Sequence, residues 1–127
     1  MHDLQLRRLK FSKEADTWLK VMKSRTGITP NLLCRVGFCL SLEETGIPRP
    51  ELYPEDSDRE INRGTLLGEH DTVFVALLRQ RLAEDGLLGQ ASLEDQFRAH
   101  MHRGVILLAG RMKTLAELGE QFAGHAG

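Results

Sequence analysis

Arg7–Phe11 is the one stretch of this chain that reads clearly as a β-strand, and a lone strand restricts a fold more than any helix does. Leu9 and Phe11 share one face and Arg8 and Lys10 the other, by the strand period of two. Leu4 and Leu6 fall on the opposite parity, so the extended stretch either begins near Arg7 or changes character there. Strand backbone donors and acceptors need a partner. No second strand of comparable quality occurs in the 127 residues. The expected partner is therefore the same strand from another copy of the chain, antiparallel about a twofold axis.

Helical signals follow at once. Ser12 before Lys-Glu-Ala-Asp is a good N-cap, with early acids suited to the positive helix end. Ala15, Trp18, Leu19 and Met22 recur at helical spacing as an apolar stripe, which assigns Trp18 to the core. Gly27 closes this helix (13–25), and Thr29-Pro30 opens a second (30–42), with Pro30 where its missing N–H costs nothing. Leu33, Val36 and Leu40 are its expected buried stripe. Pro48, Pro50, Pro54 and Glu55-Asp-Ser-Asp58 mark an irregular acidic connection, too long to be idle in a small domain. A third helix is expected over 61–82, with Gly68 a weak point inside it. Ser92 and Asp95 resemble a capping box for a fourth helix through Met101 and Leu108. A short last segment, 114–122, is expected to fray into Gly124–Gly127.

Charge is unevenly spread. Residues 1–35 hold eight Lys and Arg against three acids, a net of +5, while the remainder holds nine against fifteen, a net of −6. A basic end on an acidic chain suits a polyanion. With 41% hydrophobic residues, the chain fits a single domain spanning 1–127. Its parts would be a strand-helix-helix unit (7–44), an irregular loop (45–60) and a helical extension (61–122). No apolar run reaches the ~18 residues that span a bilayer, and the amino end carries no apolar leader, so the expectation is a cytoplasmic protein without membrane contact.

Catalytic signals are missing. Cys34 and Cys39 are five apart on a helix and do not share a face, so each reads as a small buried hydrophobe. His100 and His102 point apart, which disfavours a shared metal, and His70-Asp71 has no nucleophile at a useful spacing. No phosphate-cradling Gly-x-x-x-x-Gly-Lys-Ser/Thr is present. The expectation is no enzyme, no metal and no cofactor.

The unit from Arg7 to Leu42 (strand, helix, glycine turn, helix) resembles the ribbon-helix-helix proteins. That resemblance implies a two-stranded ribbon in the major groove of DNA, with Leu6, Arg8 and Lys10 facing outward. It also implies that Thr29 and Asn31 meet a phosphate at the start of the second helix. Leu6 departs from the polar reader usual at its position, which favours phosphate contact over sequence readout. The basic residues nominated for DNA are Arg8, Lys10, Lys13, Lys20, Lys23 and Arg25.

A wider resemblance covers about residues 7 to 118. Arg8-Leu-Lys-Phe-Ser12, Arg25-Thr-Gly-Ile-Thr-Pro-Asn31, Cys34-Arg-Val-Gly-Phe-Cys-Leu-Ser-Leu-Glu43, Ile61-Asn-Arg-Gly-Thr-Leu-Leu-Gly-Glu69 and His102-Arg-Gly-Val105 are similar to the DNA sulfur modification protein DndE family. The resemblance implies a mainly α fold, in which the ribbon-helix-helix-like unit is extended by two to three helices. It implies a non-enzymatic accessory of DNA phosphorothioation that binds intact or nicked double-stranded DNA as a homo-oligomer, dimer or tetramer. Its implied partners are a cysteine desulfurase, an iron–sulfur enzyme and an ATPase. The alternatives are a protein-interaction scaffold for those enzymes, or a ribbon-helix-helix transcriptional repressor.

Overall fold

The computed structural model describes residues 3–125; Met1-His2 and Ala126-Gly127 lie outside it, and with them the far ends of both termini as read above. Strand β1 (Arg8–Lys10) leads into α1 (Lys13–Thr26), and α2 (Pro30–Glu43) follows after a three-residue turn. A long connection then carries one 3-10 turn at Pro50–Leu52. Next come β2 (Glu60–Asn62), the short α3 (Arg63–Leu67), a 3-10 turn at Gly68–His70, α4 (Asp71–Glu84) and a long α5 (Leu93–His125). The fold is mainly α, with a strand-helix-helix start and a helical remainder.

The local signals explain the first two helices. Ser12 Oγ accepts from the Ala15 N–H at 3.1 Å, and Gly27 adopts φ 74° as its N–H reaches the Lys23 carbonyl at 2.8 Å. Pro30 stands in the first turn of α2. Ala15, Leu19 and Met22 are buried; Trp18 is half-buried, packed against the core rather than inside it.

The strand does not wait for a second copy. β1 pairs antiparallel with β2 of the same chain, in the register Arg8↔Asn62, Leu9↔Ile61, Lys10↔Glu60. This corrects the self-paired ribbon: the acidic connection returns the chain to the strand and supplies its partner. The connection is tied down along its length. Phe11 N–H donates to the Arg59 carbonyl at 3.1 Å, and Ser57 donates to the Phe11 carbonyl through both N–H and Oγ. Asp56 Oδ1 accepts from the Lys13 N–H at 2.9 Å, setting a carboxylate on the positive end of α1.

The expected helix over 61–82 is instead the end of β2, α3, a 3-10 turn and α4. Gly68 breaks it with φ +59°, and the Arg35 guanidinium lies 2.8 Å from where a Cβ would stand. The two helices expected after Ser92 are instead one. Nothing between Leu108 and Thr114 forbids helix, and Gly110 alone costs only ~1 kcal/mol.

The core lies between α2 and α5. The buried face of α2 is Leu33, Cys34, Gly37, Phe38 and Ser41, rotated from the expected stripe; Val36 is 52% exposed. The cause is backbone contact. A Cβ on Gly104 of α5 would meet the Gly37 carbonyl oxygen at 2.0 Å, so the helices touch main chain to main chain. Phe38 lies beside this contact against Phe97 and Phe74, with ring centroids 5.3 and 5.9 Å apart.

Candidate nucleic-acid interface

The solvent face of the β1–β2 pair carries Arg8, Lys10, Glu60 and Asn62, because Leu9 turns inward and Ile61 is half-buried beneath them. Arg8 and Glu60 form an exposed ion pair at 3.1 Å. Lys13 and Lys20, seven residues apart, project from the same side of α1. Lys23 and Arg25 are exposed in the last turn of α1, beside the exposed Thr29. Thr29 caps α2 without a side-chain hydrogen bond, and no acid stands in the first turn of α2.

Three of the nominated residues already have side-chain partners besides solvent. Arg8 has Glu60; Lys20 meets Asp16 at 3.0 Å; Asn31 Nδ2 donates to the Thr65 carbonyl at 3.2 Å. Burial works to raise the Asp16 carboxyl pKa, but hydrogen bonds from Arg59 (2.5 Å) and Lys20 outweigh it and hold the group below its ordinary value. Lys10, Lys13, Lys23 and Arg25 have no side-chain partner among the described residues, and neither does Arg7.

Four of the later arginines hold the architecture together. Arg81, nearly buried, donates to the carbonyls of Leu42, Glu44 and Gly46 and pairs with Asp85. Arg103 adds Ser41 and Thr45, so two guanidiniums gather the open carbonyls where α2 ends. Arg63 forks onto Asp71 at 2.7 and 2.8 Å and also reaches the Leu4 carbonyl. Arg98 holds the carbonyls of Pro50 and Tyr53. The charge imbalance of the sequence is thereby sharpened: five partnerless cations stand on Arg7–Arg25, while Arg63, Arg81, Arg98 and Arg103 are consumed inside the fold.

Two surface hollows accompany this face. One, about 270 Å³, lies between β2 and the start of α2, walled by Pro30, Asn31, Glu60, Ile61 and Asn62. The other, about 320 Å³, lies between α2 and α4 over Val36, Cys39, Leu40 and Phe74, with Arg35 and Glu43 at its ends. Exposed Leu32, Val73 and Leu77 widen the second into an apolar surface. Sequence reasoning missed both, since it placed Val36 in the core and Cys39 under cover.

Cys34 is fully buried, and burial pushes its thiol up to about 12; Cys39 is exposed. No group of three or more His, Cys, Asp or Glu among the described residues is arranged to hold a metal ion. No described helix is long and apolar enough to cross a membrane.

Comparison with known proteins places these features in context. The family model for DNA sulphur modification protein DndE matches residues 8–116. The crystal structure of DndE from Escherichia coli B7A, involved in DNA phosphorothioation modification, superposes with a TM-score of 0.65 at 29% identity; the match covers 80% of this chain and 95% of that one. A glycine-to-lysine double mutant of DndE, also involved in DNA phosphorothioation, gives 0.62 at 27% identity, over 80% and 96%. No curated protein sequence matches the chain.

Proposed function

The chain belongs to the DndE family of DNA sulphur modification proteins, and from that premise we propose that it is a non-enzymatic, cytoplasmic DNA-binding accessory of DNA phosphorothioation. It acts as a homo-oligomer that grips the backbone of duplex DNA, intact or nicked, beside the enzymes that carry out the sulfur chemistry. The observation that carries this reading is the run of five cations without a side-chain partner among the described residues in the first 25 positions. Arg7, Lys10, Lys13, Lys23 and Arg25 stand exposed within the first 25 residues, while Arg63, Arg81, Arg98 and Arg103 have donors satisfied internally. Solvated cations of this kind release counterions when they meet phosphates, which gives affinity without sequence readout. Exposed Arg8 and Lys20 can join them, since surface ion pairs such as theirs contribute only ~0–1 kcal/mol and exchange readily.

The apolar surface over α2 and α4 supports self-association. Several large hydrophobics in one place on a small chain are more than scattered exposure accounts for. Repeating the basic end by symmetry multiplies a modest charge into a continuous track.

Titration of labelled intact and nicked duplexes across salt concentrations tests the reading. Five phosphate contacts per chain predict a slope of log affinity on log salt of about −4 to −5. Charge reversal, Lys10→Glu or Lys13→Glu, should shrink that slope by about one or two and leave the circular dichroism spectrum unchanged. Absence of binding at low salt, or affinity indifferent to both substitutions, overturns it.

A further inference from the structure

We propose that Arg111 and Lys113 of α5 join Lys23 and Arg25 in a phosphate-gripping patch built from three helices around the α1–α2 turn. This rests on the DNA-binding reading above and enlarges its contact surface, since neither α5 residue belongs to the amino-terminal run of cations.

The register between helices brings the four together. Ser41 Oγ of α2 meets His100 Nδ1 of α5 at 2.8 Å, and Gly37, four residues earlier, abuts Gly104, four residues later. The two helices therefore run antiparallel at equal pace. Leu33 and Leu108, the next pair in that register, are both buried. Carried to its end, the register sets Pro30, the first residue of α2, level with Arg111.

Helical rotation aims the two α5 cations. Arg111 follows Gly104 by seven residues, about two turns, and so lies on the side of α5 that meets α2. Lys113 follows His102 by eleven residues, about three turns, and His102 Nε2 accepts from the Ser12 N–H at the start of α1. Lys113 thus lies on the side of α5 that meets α1. Lys23 and Arg25 occupy the last turn of α1, which leads through Gly27 into the start of α2. All four side chains are exposed, and none has a side-chain partner among the described residues.

Little at this end neutralises them. The acids that open α1, Glu14 and Asp16, stand in its first turn, and the first turn of α2 holds none. The amino end of α2 adds its own partial positive charge. Glu117 and Glu120 stand four and seven residues beyond Lys113, and neither pairs with it. Like charges gathered without counter-charge repel until a polyanion joins them. Lys13 opens α1 at its other end, ~15–18 Å from Lys23 and Arg25 by the helix rise, so the backbone of one duplex would be held at two separate places.

The test is the salt dependence of duplex binding by the full-length protein. Seven phosphate contacts in place of five steepen the slope of log affinity on log salt to about −6. Arg111→Gln combined with Lys113→Gln should return it to about −4 to −5 and weaken binding at least about tenfold at low salt, with an unchanged circular dichroism spectrum. The charge-keeping exchange, Arg111→Lys with Lys113→Arg, should retain the steep slope. Arg49→Gln is the positional control: exposed Arg49 follows Pro48, whose carbonyl accepts from Gln96 near the opposite end of α5, and its loss should leave the slope as it was. A parent slope that the double substitution leaves unmoved overturns the patch as a DNA contact, with binding by the amino-terminal run intact. An equal fall caused by Arg49→Gln overturns it too, since net charge rather than place would then be at work. Failure of the unaltered protein to bind at low salt overturns the DNA-binding reading itself.

Discussion

His100 and His102, two residues apart on α5, are fully buried against different neighbours. His102 Nε2 accepts from the Ser12 N–H at 3.0 Å, and its Nδ1 donates to the Arg98 carbonyl at 2.8 Å, so one proton fits and a second does not. His100 Nδ1 meets Ser41 Oγ at 2.8 Å, and the same hydroxyl accepts from Arg103 Nε at 2.8 Å. Burial depresses both histidines to about 4, and Arg103 and Arg81 add their repulsion at His100. A histidine depressed on folding binds its proton more readily in the unfolded chain. The stability it supports is therefore complete above pH ~6.5 and is lost as pH falls toward 4, by roughly 3 kcal/mol each at most. The Asp16 and Asp71 carboxyls lie below their ordinary value and add their own loss only under pH ~4. Urea unfolding should show a midpoint level from pH 8 to 7 and falling steadily from 6.5 to 4.5. A midpoint unchanged over that window would show that these imidazoles accept protons in place.

Between elements, the decisive contact has no side chain in it. Gly37 and Gly104 bring α2 and α5 together closely enough that a methyl on Gly104 would lie 2.0 Å from a carbonyl oxygen. Gly104→Ala must push the helices apart and should cost on the order of 3 kcal/mol or more in urea unfolding. Gly110→Ala, where a Cβ would meet nothing within 4 Å, should instead stabilise α5 by ~0.5–1 kcal/mol. A Gly104→Ala protein as stable as its parent would mean that the helices are not in backbone contact. The same contact shows what could be read beforehand. Ser12, Gly27 and Pro30 act within a turn of themselves, so α1 and α2 were legible nearly to the residue. The buried face of α2 was not, because an apolar count gives glycine no weight and turns the helix toward Val36. Glu60–Asn62 has no strand signature of its own; pairing with residues some fifty positions earlier makes it one. The basic end was visible as charge, but which cations stay free depends on where Arg63, Arg81, Arg98 and Arg103 find carbonyls, a tertiary outcome.

At the scale of the whole molecule, the self-association proposed above would use the open apolar surface over α2 and α4. Arg35 and Glu43 stand four residues on either side of Cys39 along the same side of α2. Two α2 helices crossing antiparallel at Cys39 would set each Arg35 near the partner's glutamate and close Leu32, Val36 and Leu77 from water. Cys39 would then lie close to its symmetry mate, whereas Cys34, sealed in the core with its thiol raised to about 12, stays inert. Mild oxidation should therefore yield a covalent dimer through Cys39 alone, abolished by Cys39→Ser and untouched by Cys34→Ala. Val36→Glu, at an exposed site that leaves the core intact, should shift the sedimentation mass toward the monomer. It should also weaken duplex binding at least about tenfold, as linked gripping surfaces come apart. Retention of both mass and affinity by Val36→Glu would move the association to another face, and a disulfide formed through Cys34 would contradict the burial on which the core is built.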